Sequence, residues 1–392
     1  MRKQLIVGAK ALGSGGELTP RNVLIENGKI LDADYRNSQQ IDAEIFDARG
    51  AYLLPSFIEL HAHGGGGCDF GDLTRESFDT VMNTHLAHGV TLLCPTLVTC
   101  PWEELVRFLA FCENEGRKHF MFGGAHLEGP FLSTEKCGAQ NLSHLISPTE
   151  DKIATLEEFS SVIARVTAAP EVDGVLNMAS RLNSCGVQMS VGHSAALAPD
   201  MERAADAGFT QITHLFSSTT GRTKIGSYVL GGIEECSLID DRFTVELIGD
   251  GHHVSRESLL LVSKCKGKDG VFIVSDAMRA AGESAETTES YIGKISPGNR
   301  VIIEDGVAKL PDRSSFAGSI GVGDTMVRAL CANYGLPLAT VSRMMSEVPA
   351  RLLGLEGKRG RIENGFDAEL TLLDANYRTV AVFSHGDTFN FS

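Results

Sequence analysis

His61 and His63 close the apolar run Phe57-Ile58-Glu59-Leu60, and the two-residue period of a strand turns both rings to the same face. Glu128 ends a later run in His126-Leu127-Glu128-Gly129-Pro130, where the Gly-Pro pair fixes a sharp exit. His193 follows Val191-Gly192, His214 follows Ile212-Thr213, and Asp276 follows Val274-Ser275. Each has a plain structural explanation when taken alone. A histidine can be satisfied in a core, a glutamate can be solvated, and Asp276 can cap the stretch Ala277-Met278-Arg279-Ala280-Ala281. Together they place imidazole and carboxylate groups at the ends of five of the apolar runs, a ligand set suited to Zn, Fe, Mn or Co. No cysteine stands at those positions, which argues against a thiolate cluster.

The elements that must position these groups are short. Apolar runs occur at Phe57–His61, Thr91–Cys94, Phe120–Gly123 continuing to Glu128, Val162–Val166, Val187–Val191, Gln211–His214, Thr244–Ile248 and Val271–Ser275. Helical stretches such as Arg75–Ala87, Pro101–Cys112, Pro199–Ala207 and Ser255–Ser263 separate several of them. Strand and helix alternating eight times over residues 53–359 predict a (β/α)8 TIM barrel, whose site lies at the C-terminal strand ends. The two chain ends read differently. Residues 1–52 hold β-rich runs, one split by an Asn27-Gly28 hairpin turn, and residues 360–392 hold two more. Neither end can bury a sheet alone, so both are expected to meet in one small β-sandwich domain.

Composition narrows the partners. The chain has 392 residues, 43% hydrophobic and 22% charged, with a net charge of -15. That balance fits a globular protein and argues against a nucleic-acid binder. The N-terminus lacks an apolar signal region, and no apolar run approaches the ~18 residues that span a bilayer. Nine scattered cysteines without C-x-x-C spacing read as reduced thiols of a cytoplasmic protein. The run Gly64–Gly67 is expected to be a tight, mobile loop rather than a phosphate cradle.

Longer strings carry a resemblance. His126-Leu-Glu-Gly-Pro-Phe131, Gly138-Ala-Gln140, Val191-Gly-His-Ser194, Thr213-His-Leu-Phe216, Asp250-Gly-His-His253, Ser275-Asp-Ala-Met278 and Ala317-Gly-Ser319 resemble the N-acetylglucosamine-6-phosphate deacetylase family of the amidohydrolase superfamily. The likeness covers nearly the whole chain. It implies hydrolysis of the N-acetyl amide of an amino sugar phosphate, with one or two divalent metals per chain. Glu128, His193 and His214 would form the main metal site, with His61 and His63 offering a second that Glu128 bridges. Asp276 would shuttle the proton, and His253 would bind the sugar or its phosphate. Gln140, Ala317 and Ser319 would be further substrate contacts, and a homodimer is expected.

The chain departs from the family where Ser217-Ser218-Thr219-Thr220-Gly221-Arg222-Thr223-Lys224 replaces the usual Asn-Ala-Met and a later phosphate-binding Arg. Ser217, Ser218 and Arg222 are the substrate contacts expected there, since hydroxyls and a guanidinium still suit a phosphate. The departure keeps one other reading open, an amidohydrolase for another N-acylated amine or an unphosphorylated sugar. An inactive barrel that binds a metabolite or partner is a further alternative, against which the retention of all five candidate ligands and Asp276 counts.

Overall fold

The computed structural model describes residues 2–37, 41–284, 286–295 and 299–391. The chain separates into two compact units. One comprises Met1–Glu59, Asn83–Leu92 and Val322–Ser392, and the other Leu60–Met82 and Leu93–Gly321.

In the first unit both chain ends build one mixed sheet of eight strands. Lys3–Leu12 is its central element. A register shift between Ile6 and Ala9 bends it, so that Glu44–Asp47 pairs along its first half and Tyr52–Pro55 along its second. Tyr52–Pro55 then pairs antiparallel with Leu370–Leu373, which joins the two termini of the chain. Asn27 and Gly28 both take positive φ, 51° and 74°, the primed turn that links Leu18–Glu26 to Lys29–Asp32. Ile6, Val23, Ile25, Leu53, Leu370, Leu372 and Phe383 are fully or almost fully buried in the core that this sheet covers.

The second sheet is the barrel. Its strands are β1 (Phe57–Ala62), β2 (Val90–Leu97), β3 (Ala125–Glu128), β4 (Ile163–Ala168), β5 (Gln188–Val191), β6 (Phe209–Ile212), β7 (Thr244–Ile248) and β8 (Val271–Val274). They lie side by side in chain order, and a parallel bridge from Ala62 to Ala277 brings the first beside the last. Eight parallel strands closing in sequence make a TIM barrel. Between β2 and β3 the helix Trp102–Asn114 buries Leu105, Phe108, Leu109 and Cys112, an i, i+3, i+4, i+7 stripe. Fully burying each of those larger apolar side chains contributes about 1.5–3 kcal/mol.

One run differs from the sequence expectation. Phe120–Gly123 is not part of β3, because Gly124 takes φ 99° and breaks the extended chain just before Ala125. Phe122 keeps only an isolated bridge to Leu93. All nine cysteines are free, and among the described residues no helix is long and apolar enough to cross a membrane.

Candidate metal centre

The C-terminal strand ends bring the candidate ligands together. β1 delivers His61 and, one residue beyond its end, His63; β3 delivers Glu128; the turns after β5, β6 and β8 deliver His193, His214 and Asp276. All six are buried. Glu128 is the hub. Its Oε1 lies 3.0 Å from His193 Nε2, 2.9 Å from His214 Nε2 and 3.6 Å from His61 Nε2. Its Oε2 lies 3.3 Å from His63 Nε2. Asp276 Oδ1 stands 3.2 Å from His63 Nε2 and 3.4 Å from His61 Nε2.

The far side of each ring shows what these atoms are arranged for. His193 Nδ1 lies 3.1 Å from the Lys136 carbonyl and His214 Nδ1 lies 3.0 Å from the Ser217 carbonyl. His61 Nδ1 lies 2.9 Å from Glu246 Oε1. All three partners are acceptors only, so each Nδ1 carries the proton and each Nε2 turns a lone pair inward. Lone pairs and carboxylate oxygens thus face one another in a buried space, an arrangement that calls for a cation. Two groups satisfy the distances for one, His61 with His63 and Glu128, and Glu128 with His193 and His214. The donor set fits a divalent metal.

The electrostatics state the same demand. Burial pushes the Glu128 carboxyl up, but the charges of His193 and His61 and the hydrogen bonds of His193 and His214 outweigh it and hold it well below the usual range. Burial lowers His214, yet the hydrogen bond and charge of Glu128 lift it to about 9. Burial opposes ionisation of Asp276 too, and the charge of His61 with the His63 contact keeps it below its ordinary value. Burial likewise lowers His63, against which the carboxylates Asp276 and Glu128 raise it above its ordinary value.

Three rim residues hold left-handed backbone: His193 at φ 46°, His214 at φ 29° and Asp276 at φ 49°. Asp276 is pinned on both sides of its peptide, donating its N–H to the His61 carbonyl and accepting at its own carbonyl from Ser319 N–H, 2.9 Å in each case.

A cavity of about 590 Å³ opens over these groups, lined by His63, Glu128, His193, His214 and Asp276 at its floor and by Gln140, Ser217, Ser218, His253 and Ala317 on its walls. His253 donates through Nδ1 to Asp250 at 2.7 Å and packs its ring 4.8 Å from that of Phe316, leaving Nε2 as its remaining polar atom. Gln140 has a second duty. Its side-chain N–H2 donates to Glu128 Oε2 at 2.6 Å while its carbonyl accepts from Thr99 N–H at 2.9 Å, so it also holds the hub carboxylate.

Two expected contacts are not at the cavity. Ser319 is fully buried with its Oγ accepting from Gly321 N–H, and it braces Asp276 instead of facing a ligand. Arg222 is exposed at the foot of the hairpin Thr223–Ile225/Tyr228–Leu230. The chain leaves the rim through positive φ at Phe216 and Ser218, and Thr220 Oγ1 anchors to the Ser194 carbonyl, so residues beyond it are carried outward. Lys224 is exposed with it.

The cations that do line the cavity, Lys309 and Arg313, went unread in the sequence. Lys309 ends, and Arg313 follows, a three-stranded sheet, Glu289–Ile292, Asn299–Glu304 and Val307–Lys309, inserted between β8 and Ala317. Their signal was charge in a segment with no barrel periodicity. Glu304 pairs with both, at 3.1 Å to Lys309 Nζ and 2.8 Å to Arg313 Nε.

The Gly64–Gly67 run is tight but tied down. Gly64 and Gly65 pair with Asp69 and Cys68, and a Cβ on Gly64 would meet the Cys68 carbonyl at 2.4 Å. Arg279 fastens the turn, donating 2.7 Å to the Gly67 carbonyl and pairing with Asp72.

The amidohydrolase family model matches residues 52–390. The chain belongs to the amidohydrolase family. It is 31% identical to the N-acetylglucosamine-6-phosphate deacetylase of Bos taurus, over 95% of this chain and 92% of the relative. It is 28% identical to an Escherichia coli O157:H7 N-acetylgalactosamine-6-phosphate deacetylase, over 95% and 99%. Among solved structures, a variant of the Mycobacterium smegmatis N-acetyl-D-glucosamine-6-phosphate deacetylase in complex with N-acetyl-D-glucosamine-6-phosphate superposes with a TM-score of 0.89 at 29% identity, covering 99% of both chains. The Pasteurella multocida deacetylase superposes at 0.91 with 25% identity, covering 99% of this chain and all of that one. Metal dependence comes with this amidohydrolase membership and with the donor set just described.

Proposed function

We propose that the chain hydrolyses the N-acetyl amide of an amino sugar 6-phosphate, releasing acetate and the free amine. The observation that carries this is the convergence of Glu128, His63, His193, His214 and Asp276 at the floor of one sugar-sized cavity, with His61 Nε2 3.6 Å from Glu128 Oε1. Relatives spanning almost the full chain are named for that reaction. A divalent metal held by Glu128, His193 and His214, with His61 and His63 for a second, supplies Lewis acidity toward the amide carbonyl and a more acidic water. The chain's own residues do the rest. Asp276 accepts the proton of the attacking water and returns it to the nitrogen, which leaves poorly unless protonated. His253, fixed by Asp250, offers Nε2 to the substrate.

The phosphate end rests on Lys309 and Arg313. A charge-assisted hydrogen bond is worth about 1.5–3 kcal/mol, so Arg313→Ala is expected to lower kcat/KM on the phosphorylated sugar about 10- to 150-fold, chiefly through KM. The same sugar without phosphate should be unaffected. Equal loss on both sugars would show that Arg313 shapes the wall and does not read the phosphate.

One observation favours a second reading, an unphosphorylated sugar or another N-acyl amine. Arg222 and Lys224 lie outside the cavity, and Glu304 and Asp305 already engage Lys309 and Arg313. A screen of N-acetyl-glucosamine and N-acetyl-galactosamine, with and without 6-phosphate, for free amine separates the readings. Activity confined to unphosphorylated compounds would transfer the assignment to them.

The working form is proposed to be a cytoplasmic homodimer. Free thiols support the compartment, and the exposed Ile225, Tyr228 and Val229 on the Arg222 hairpin offer apolar surface to a second copy. Sedimentation of wild type beside Tyr228→Glu tests it; two monomeric samples would overturn the dimer.

A further inference from the structure

A charged pair sits inside the barrel below the site. Arg165 on β4 and Glu246 on β7 are buried to within 3% of completely, and Arg165 Nη1 contacts Glu246 Oε2. Arg165 Nη2 also donates to Ser190 Oγ and Thr213 Oγ1, at 3.0 Å each. Glu246 Oε1 faces the other way. It accepts from His61 Nδ1 at 2.9 Å and from the backbone N–H of His214 at 3.1 Å. A single carboxylate oxygen therefore touches two of the candidate ligands, one through its ring and one through its peptide.

We propose that Glu246, oriented by Arg165, is a positioning residue for the metal centre, fixing His61 with its proton on Nδ1 and its Nε2 lone pair toward Glu128 and His63. This rests on the metal-dependent reading of the site. The reasoning is geometric. A neutral imidazole has one N–H, and the acceptor opposite it decides which nitrogen carries the proton. Arg165 occupies the other oxygen of Glu246, which leaves Oε1 turned to accept from the His61 ring and the His214 peptide. Removing the acceptor takes away the carboxylate that holds the proton on Nδ1, and a proton on Nε2 would point a donor at the cation site. Arg165 in turn is aimed by Ser190 and Thr213, so residues of several strands stand behind one histidine tautomer.

A buried ion pair stripped of one partner destabilises the fold, so single substitutions are uninformative and both charges must be removed together. Arg165→Met/Glu246→Gln keeps an oxygen for the His61 N–H. Arg165→Met/Glu246→Leu removes it. The full-length proteins are stripped with a chelator, checked by circular dichroism and melting, and titrated with zinc against a chromophoric competitor. The Gln variant should hold zinc like wild type. The Leu variant should bind the His61-dependent equivalent about 10- to 100-fold more weakly, the usual scale for losing such an outer partner, while the equivalent on Glu128, His193 and His214 stays.

Equal zinc affinity in the Leu variant and wild type, or wild-type binding unmoved by His61→Ala, would overturn the proposal. A wild-type chain that takes up no zinc at all would overturn the metal reading instead. A readout on unaltered protein stands beside these. In ¹⁵N-histidine spectra the His61 signal, assigned by its loss in His61→Ala, should show the proton on Nδ1, and a proton on Nε2 would refute the assignment even if both double variants failed to fold.

Discussion

His193→Ala and His214→Ala should each purify without the metal of the main site and without measurable turnover, while keeping the barrel's circular dichroism. The two rings give Glu128 its 3.0 and 2.9 Å neighbours, and no other imidazole approaches its Oε1 as closely. Removing one leaves a site of two protein donors where catalytic sites of this type keep three. The loss is therefore of stoichiometry, read by elemental analysis, and the fall in turnover follows it. His61→Ala should behave differently, since His61 belongs to the other group of ligands and leaves Glu128, His193 and His214 together. A His193→Ala protein with full metal and full activity would remove the main site from the account.

The second large effect belongs to Asp276. Asp276→Asn keeps size, backbone bonds and tolerance of left-handed φ, so metal content and melting should hold. Turnover should fall by at least ~10²-fold, the low end for losing a general acid-base group. The decline should lie in kcat, because a carboxamide in place of this carboxylate still fills the cavity floor but cannot take a proton from water. Near wild-type kcat in this variant would shift the proton transfer to another group, such as His253 on the cavity wall.

Much of this was legible in the residue order. The barrel showed because each strand is a short apolar run and each helix carries a wider stripe, as Leu105, Phe108, Leu109 and Cys112 do. The candidate site residues could be picked out because a barrel places strand ends on one rim, and His61, Glu128, His193, His214 and Asp276 all stand at or just beyond such ends. What stayed hidden depended on where the chain leaves that rim. Arg222 follows Ser217 and Ser218 by only a few residues, yet the positive φ at Phe216 and Ser218 and the Thr220 anchor take it out of the cavity. Lys309 and Arg313 are far from any motif and reach the cavity through an inserted sheet that obeys no barrel period. Glu246 had a local signal, a carboxylate in the middle of Thr244–Ile248, and Arg165 likewise interrupts an apolar run. Their partnership crosses the barrel from β4 to β7 and could not be read from spacing.

The left-handed backbone at His193, His214 and Asp276 sets folding against chemistry at three points of the rim. Each such residue costs about 1–3 kcal/mol that a glycine would not incur. The cost is borne because the reversal aims the side chain across the barrel mouth, and the bonds to the Lys136, Ser217 and His61 carbonyls hold it there. A library of this chain sorted on heat resistance alone should accordingly collect glycine at positions 193, 214 and 276. The hardiest survivors of that selection would be barrels unable to cleave an amide.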